Sequence, residues 1–172
     1  MVVGASLAGL RGCESLRAEG FSGRITLVGA ERELPYDRPP LSKKVLKGDW
    51  EPDRIRLRKP EDFESLSLDL RLGVRATALD TTTNTLTVDG ADGGDTEIVY
   101  DGLLIAVGAV CRRLPGQRQA DGIYELRTLA DAMSLREALA DRPRVVVIGA
   151  GFIGLEVAAT ARQRECEVVV LE

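Results

Sequence analysis

The chain has 172 residues, 44% of them hydrophobic, and a formal net charge of −4. These values are typical of a globular protein with one sizeable core, and the mixed charges indicate neither a nucleic-acid nor a membrane surface. The sequence has no histidine and three cysteines, Cys13, Cys111 and Cys166, so we expect no metal site and no histidine-based catalysis, and any catalysis would depend on a cofactor.

The first predicted element is a strand that begins directly after Met1, without the features of a signal peptide. No apolar run in the sequence approaches the roughly 20 residues of a membrane span. We therefore expect a cytoplasmic protein that makes no membrane contact.

A glycine-rich turn follows this strand, in "VVGASLAGLRGCESLRAEGFSGRITLVGAE". Gly4 and Gly9 occupy the first and third positions of a G-x-G-x-x-G pattern, and Ser6 occupies the second. Serine weakens the match at the position where the backbone approaches a phosphate, although its hydroxyl could donate to one. An ordinary βαβ unit without ligand remains an alternative for this segment.

The rest of this segment completes a βαβ pattern. A helix is predicted to run to about Glu19, and a strand from Ile25 to Val28 leads to Glu31. An acid at the end of the second strand can accept hydrogen bonds from ribose hydroxyls. We call Gly4, Ser6 and Gly9 the first fingerprint, and Glu31 its terminal acid.

The middle of the chain changes character. The segment "ELPYDRPPLSKKVLKGDW" is rich in proline and basic residues. This composition favours an ordered loop and a short helix that cover a ligand, rather than a core element. Beyond it, alternating apolar and polar residues predict strands near 70–79, 85–89 and 96–100, with turns at Thr83-Asn84 and from Asp89 to Gly94.

Two further elements lead to the end of the chain. We predict a buried strand at 103–107 that ends at Gly108. Apolar residues at helical spacing in "YELRTLADAMSLREALADRP" then predict a helix that ends before Pro143.

The last segment, "VVVIGAGFIGLEVAATARQRECEVVVLE", is a second βαβ pattern. Val145 to Ile148 is predicted to be a buried parallel strand, and Val168 to Leu171 is predicted to be a second apolar strand. Between them, Gly149 permits the tight turn, Gly151 lets the backbone approach a pyrophosphate, and Gly154 allows close helix packing. We call these three glycines the second fingerprint.

Glu172 follows the last strand as the terminal acid of the second fingerprint. Strand, helix, strand and acid in this order predict dinucleotide binding, whereas the alternative is a glycine-rich turn that serves packing only. Because Glu172 would repel a 2′-phosphate, NAD is favoured over NADP.

Five ordered segments resemble the FAD-dependent pyridine nucleotide oxidoreductases: "VVGASLAG", "YDRPPLSK", "LLIAVGA", "YELRTLADA" and "VVVIGAGFIGLEVA". The chain is most similar to the ferredoxin–NAD reductase branch, which includes the putidaredoxin and rubredoxin reductases and the reductase components of aromatic-ring dioxygenases. The resemblance covers the whole chain but only the front half of the family's architecture, so we expect an N-terminal fragment.

The resemblance implies an α/β fold. We expect an FAD/NAD(P)-binding Rossmann-like three-layer fold with an inserted small antiparallel β-meander, followed by the start of a second Rossmann-like domain. Residues 1–142 would form an FAD-binding domain without its C-terminal segment, and residues 143–172 the first βαβ unit of a truncated NAD-binding domain.

The resemblance also implies roles for single residues. Beyond the first fingerprint and Glu31, the residues expected to contact FAD are Lys43, Ala76, Gly108 and Arg127. Ala76 would face the adenine through its backbone, and Lys43 would lie near the flavin and diphosphate. Two alternatives stay open: Lys43 as a solvated lysine, and Arg127 as an exposed helix residue.

On the NAD side, the resemblance adds Ile153 and Glu156 to Gly149, Gly151, Gly154 and Glu172. Glu156 would approach the nicotinamide end of the cofactor. It could equally be a solvent-facing acid at a helix start, where the dipole favours a negative charge.

Two departures from the family pattern matter. Val107 replaces the threonine of the family's A-T-G, which removes one possible hydroxyl contact. The loop "RPPLSKKVL" lacks the cysteine pair of the disulfide reductases, and Cys13 is expected to be a buried packing residue. The resemblance therefore implies flavin-only electron transfer: hydride passes from NADH to the flavin N5, and two single-electron steps reduce a ferredoxin or rubredoxin-type iron–sulfur partner.

Two functional hypotheses remain. The first is an NADH-dependent flavoprotein reductase, represented here by its front half, which we expect by itself to lack NADH oxidation activity and to hold FAD poorly or not at all. The second is a non-catalytic nucleotide-binding fragment or an inactive remnant of such a reductase. Residue spacing supports the same lineage in both cases.

Overall fold

The computed structural model describes residues 1–89, 94–116 and 120–172. The chain forms two compact units, each built from two separate segments. The first unit contains Met1–Asp37 and Arg56–Ala109, and the second contains Arg38–Ile55 and Val110–Glu172.

A parallel sheet with a helix and a meander forms the first unit. Its α-helix and strands are, in chain order, β1 (Val2–Val3), α1 (Leu7–Ala18), β2 (Ile25–Gly29), β3 (Leu68–Leu72), β4 (Arg75–Asp80), β5 (Thr85–Asp89), β6 (Asp95–Val99) and β7 (Leu104–Ile105). A 3₁₀-helix at Pro60–Leu66 precedes β3. The parallel sheet has the order β3-β2-β1-β7, and the antiparallel meander has the order β4-β5-β6.

The alternation of side chains along β1 and β2 separates the two faces of this sheet. Val2 and Leu27 share a buried cluster with Cys13 of α1. Val3 and Val28 point to the other face, where they pack against three apolar residues of the meander, Leu86, Val88 and Ile98. Helix, sheet and meander are therefore the three layers of the unit, as predicted.

The second unit contains the second βαβ motif. Its elements are a π-helical turn (Leu41–Val45), a 3₁₀-helix (Pro52–Ile55), α2 (Leu129–Ala138), β8 (Arg144–Ile148), α3 (Phe152–Gln163) and β9 (Glu167–Leu171). The strands β8 and β9 pair in parallel, with Val145 opposite Val168. The unit's core is formed by Leu46, Leu135, Leu139, Ala161 and Cys166.

The elements of both βαβ motifs, the predicted turn at Thr83-Asn84 and the helix that ends before Pro143 are confirmed. The predicted strand at 96–100 is displaced by one residue, to Asp95–Val99. The turn predicted from Asp89 to Gly94 lies mostly outside the described residues.

The single strand predicted at 70–79 is wrong. The chain turns at Gly73, which has φ +73°, so the segment divides into β3 and β4. The Gly73 N–H donates to the Glu31 carbonyl (2.8 Å) and the Val74 N–H to the Gly29 carbonyl (2.9 Å). These bonds end one strand in the parallel sheet and begin the next in the meander.

The burial predicted for two strands, 103–107 and Val145 to Ile148, is also wrong. The predicted strand at 103–107 is only Leu104–Ile105 and lies at the sheet edge, where Ile105 is 60% exposed. In β8, Val146 and Ile148 are 59% and 64% exposed, and Val169 and Leu171 of β9 are exposed as well. Parallel strands are usually covered on both faces, whereas these have an uncovered face in the described part of the chain.

A helix that crosses a bilayer must be both long and apolar. Among residues 1–89, 94–116 and 120–172, no helix meets both conditions.

Candidate nucleotide-binding sites

The glycines of the first fingerprint allow β1 and α1 to come into close contact. Gly4 has φ +112°, and its N–H donates to the Val28 carbonyl at 2.8 Å. A Cβ on Gly4 would lie 2.0 Å from the Ala106 carbonyl oxygen, and a Cβ on Gly9 would lie 1.9 Å from the Gly4 carbonyl oxygen. Both positions therefore require glycine, which lets α1 begin directly against the sheet.

The amino terminus of α1 is suited to an anion. Ser6 is its N-cap residue in extended conformation (φ −129°), and its side chain makes no capping hydrogen bond within the described structure. No acidic residue lies in the first turn. The first-turn N–H groups and the positive end of the helix dipole are therefore available to a diphosphate.

Glu31 lies beyond the carboxyl end of β2 and is half-buried. The Tyr36 hydroxyl donates a hydrogen bond to Glu31 Oε2. The sequence analysis did not single out Tyr36, although it precedes the "DRPPLSK" segment. The arrangement places a fixed carboxylate where the βαβ pattern predicts a ribose.

The two other residues of the first unit that are predicted to contact FAD differ in solvent exposure. Ala76 is half-buried in β4, where it pairs with Val88 next to a bulge. Gly108 follows β7 with φ +72° and is exposed.

The second fingerprint repeats the geometry of the first. Gly149 has φ +103°, and its N–H donates to the Leu171 carbonyl at 2.7 Å. A Cβ on Gly154 would lie 2.1 Å from the Gly149 carbonyl oxygen. Gly151 is the N-cap residue of α3, whose first turn has no acid, and Ile153 is 52% exposed.

Glu172 is joined to the glycine-rich turn. Its Oε2 accepts a hydrogen bond from the Ala150 N–H, and its side chain is exposed. The acid at the end of β9 thus lies beside the turn where a pyrophosphate would bind, as the pattern requires.

Lys43 and Glu156 form an ion pair in the second unit. Lys43 Nζ lies 2.7 Å from Glu156 Oε2, and the Ser42 hydroxyl donates to the same oxygen at 2.6 Å. These two donors, Lys43 first, lower the pKa of Glu156. The Thr160 hydroxyl donates to the Ser42 carbonyl at 2.8 Å, which fixes the π-helical turn against α3.

Sequence reasoning did not identify Ser42 and Thr160 because the bond between them spans 118 residues. The ion pair also gives Glu156 a partner, so it is more than a solvent-facing acid.

Arg127 lies directly before Thr128, the N-cap residue of α2, and is half-buried rather than helical. Its N–H donates to Asp131 Oδ2 at 3.0 Å, and its carbonyl accepts from Arg38 at 2.6 Å. Its backbone thus holds the start of α2.

The predicted site residues are divided between the two compact units. The first unit contains Gly4, Ser6, Gly9, Glu31, Ala76 and Gly108. The second contains Lys43 and Arg127 together with the second fingerprint, Ile153, Glu156 and Glu172.

The cysteines have the character of packing residues. Cys13 and Cys166 have no exposed surface, and burial raises the pKa of the Cys13 thiol to about 11. Within the described residues, no group of three histidine, cysteine, aspartate or glutamate side chains is arranged to hold a metal ion.

Comparison with protein families gives a match over the whole chain. The family described as "Pyridine nucleotide-disulphide oxidoreductase" matches residues 1–172. The chain is 41% identical to rhodocoxin reductase of Rhodococcus erythropolis, over 100% of this chain and 40% of that protein. It is 42% identical to the ferredoxin–NAD(+) reductase component of the anthranilate 1,2-dioxygenase system of Burkholderia cepacia, over 100% of this chain and 42% of that protein.

A solved structure is similar over the same extent. The covalent complex of putidaredoxin reductase with putidaredoxin matches with a TM-score of 0.89 and 38% identity, over 99% of this chain and 41% of that chain. The chain therefore spans about two fifths of the length of these relatives.

Proposed function

Because the chain belongs to the pyridine nucleotide-disulphide oxidoreductase family, we propose that it binds FAD at the first fingerprint and NAD at the second. The whole protein would pass electrons from NADH through FAD to a ferredoxin or rubredoxin-type iron–sulfur protein. We place the FAD-binding domain at 1–142, the NAD-binding unit at 143–172, and the protein in the cytoplasm.

One observation carries this proposal. The close approach of the third glycine to the carbonyl oxygen of the first glycine occurs in both motifs, and each motif continues to a strand and an acid. A Cβ would lie 1.9 Å from the nearest carbonyl oxygen at Gly9 and 2.1 Å from it at Gly154, and the strands lead to Glu31 and Glu172. A reductase that binds both FAD and NADH through glycine-rich βαβ motifs needs two sites of this kind. Two relatives, a ferredoxin–NAD(+) reductase component and a reductase in complex with putidaredoxin, support the choice of acceptor.

The residues of this chain would bind and orient the two cofactors. The first-turn N–H groups of α1 and α3 would receive the diphosphates, and Glu31 and Glu172 the riboses. Lys43 and Glu156 would hold a fixed charge pair next to bound cofactor. FAD, when bound, supplies the hydride acceptance and the one-electron chemistry that side chains cannot provide.

The proposal can be tested by titrating FAD and NADH separately into a complete version of the protein and its variants. Glu31→Ala should weaken FAD binding, and Glu172→Ala should weaken NADH binding. Each change removes a charged hydrogen-bond acceptor, which contributes about 1.5–3 kcal/mol. Matched controls are Glu33→Ala, close to Glu31, and Glu167→Ala, at the other end of β9; both side chains are exposed.

The reverse pattern, with Glu172→Ala releasing FAD, would exchange the two assignments. NADH oxidation with ferricyanide as the acceptor tests the second hypothesis in the same samples. Binding of both nucleotides without ferricyanide reduction would favour a nucleotide-binding chain without catalysis.

A further inference from the structure

Tyr36 is held rigidly in the first compact unit. Its side chain is 4% exposed, and its backbone forms an antiparallel bridge with Arg56. The preceding residue, Pro35, is fully buried, and its carbonyl accepts a hydrogen bond from the Leu57 N–H at 3.0 Å. A buried ring on a backbone paired at two successive residues leaves its hydroxyl little freedom to move.

Hydrogen bonds fix both the side chain and the backbone of Glu31. The Glu31 carbonyl accepts from the Gly73 N–H at 2.8 Å, and its carboxylate accepts from the Tyr36 hydroxyl. A free glutamate side chain loses substantial rotamer freedom when a ligand orders it. Here the protein has ordered the carboxylate before any ligand arrives, which lowers the cost of binding.

We propose that Tyr36 is a positioning residue of the first fingerprint, whose hydroxyl orients the Glu31 carboxylate toward the adenosine ribose of FAD. This inference rests on the proposed function, in which Glu31 receives the ribose hydroxyls. The bond from Tyr36 is compatible with that role, because an ionised carboxylate has about four acceptor positions on its two oxygens.

The second fingerprint supplies a contrast within the same molecule. Its terminal acid, Glu172, is exposed and accepts from a backbone donor, the Ala150 N–H. Orientation there comes from the turn itself, whereas Glu31 is oriented by a side chain that can be changed without altering the backbone. Tyr36 therefore affects one nucleotide site, and the other serves as an internal control.

The test is a double-mutant cycle on the full chain, with dissociation constants for FAD, FMN and NADH as the readout. Tyr36→Phe keeps the buried ring and removes the hydroxyl. It should raise the FAD dissociation constant by up to about tenfold, because the Glu31 carboxylate would then lose its rotamer freedom only when FAD binds. Binding of FMN, which lacks the adenosine, and of NADH should change less than twofold. Tyr100→Phe, a half-buried tyrosine of the same unit, is the matched control.

Glu31→Ala should weaken FAD binding more than Tyr36→Phe, and the double variant should bind no more weakly than Glu31→Ala. In this proposal the Tyr36 hydroxyl acts on FAD through the Glu31 carboxylate, so the effect of removing the hydroxyl disappears when the carboxylate is absent. The inference is overturned if Tyr36→Phe binds FAD like the wild type, if the two losses add, or if FMN binding falls equally. If wild-type chain binds no FAD, or Glu31→Ala has no effect, the proposed function fails and the inference with it.

Discussion

The two βαβ motifs have the same internal glycine geometry and differ in the residues that surround them. In both, the first glycine has a positive φ, +112° at Gly4 and +103° at Gly149. In both, a Cβ on the third glycine would overlap the carbonyl of the first and touch a valine Cγ1 at 3.3 Å. The close contact between strand and helix therefore forms from local sequence in each motif.

The surroundings of the first glycine are where the motifs diverge. In the first motif, β1 lies between β2 and β7, and a Cβ on Gly4 would lie 2.0 Å from the Ala106 carbonyl oxygen. In the second, β8 pairs with β9, and a Cβ on Gly149 would meet no described atom within 4 Å. The first glycine is thus required for backbone conformation alone in the second motif, and for both conformation and space in the first motif.

The largest expected effect comes from comparing Gly4→Ala with Gly149→Ala. Both introduce a Cβ at positive φ, which costs about 1–3 kcal/mol. Gly4→Ala adds the overlap with Ala106 and should destabilise its unit by a further ~1–3 kcal/mol. Hydrogen exchange in low urea, compared for peptides from α1 and α3, would measure each unit separately. Equal losses in both motifs would show that the backbone at Ala106 can move aside.

The terminal acids offer a second comparison, because the second motif is proposed to bind the nicotinamide cofactor. Glu172→Gln keeps the shape of the side chain and removes the charge that would repel a 2′-phosphate. We expect the wild-type chain to bind NADH more tightly than NADPH. In the variant, the ratio of the NADPH dissociation constant to the NADH dissociation constant should fall about tenfold. Titration of both nucleotides, with Glu167→Gln as the control, would measure it. A wild-type preference for NADPH would contradict the charge argument.

A smaller effect should come from the ion pair between Lys43 and Glu156. Since hydrogen bonding lowers the folded-state pKa of Glu156, its contribution to stability is present above the unfolded pKa, close to the ordinary value of 4.5. That contribution is lost as pH falls through the folded-state pKa. Glu156→Gln should therefore destabilise the protein by about 0.5 kcal/mol at pH 7, the size typical of a partly exposed pair, and much less at pH 3.

Urea unfolding at the two pH values would measure this dependence. Glu137→Gln, which changes an exposed carboxylate of α2, is the control and should show no such trend. A constant difference for Glu156→Gln across pH would mean that the side chain acts through packing rather than charge.

The smallest effect concerns the cysteines, two of which occupy buried positions, one in each motif. Cys13 of α1 and Cys166 before β9 have no exposed surface, whereas Cys111 is half-buried. A thiol reagent at pH 8 should label Cys111 first and the other two only on unfolding. Cys111→Ser should change stability by less than about 0.5 kcal/mol. Rapid labelling of Cys13 would contradict the raised pKa of its thiol.

Local features were predicted well from the sequence and long-range ones poorly. Glycine spacing, the acids after the strands and the alternation in β5 depend on neighbouring residues, and the structure contains the predicted elements. The division at Gly73 depends on bonds to Glu31 and Gly29, about 40 residues earlier, which no local pattern contains.

Burial was mispredicted for a related reason. Apolar runs such as Val145 to Ile148 indicate a strand suited to two covered faces, but they do not say what covers them. Among the site residues, the pairing of Glu31 with Tyr36 depends on the path of a loop, and that of Ser42 with Thr160 on packing between distant segments. The cofactor roles of the predicted residues stay predictions.

The interleaving of the two compact units has a consequence for how the chain acquires its structure. Because Val2 of β1 pairs with Leu104 of β7, this pairing cannot form during synthesis until Leu104 has emerged from the ribosome. Meanwhile Arg38–Ile55, which belongs to the second unit, cannot make its contacts with α2 and α3 until those helices are synthesised. A split after Ala109 would leave the first unit both of its own segments and would deprive the second unit of the turn that holds Lys43. Refolding should therefore show a slow phase set by closure of these long loops, which local helix formation alone would not produce.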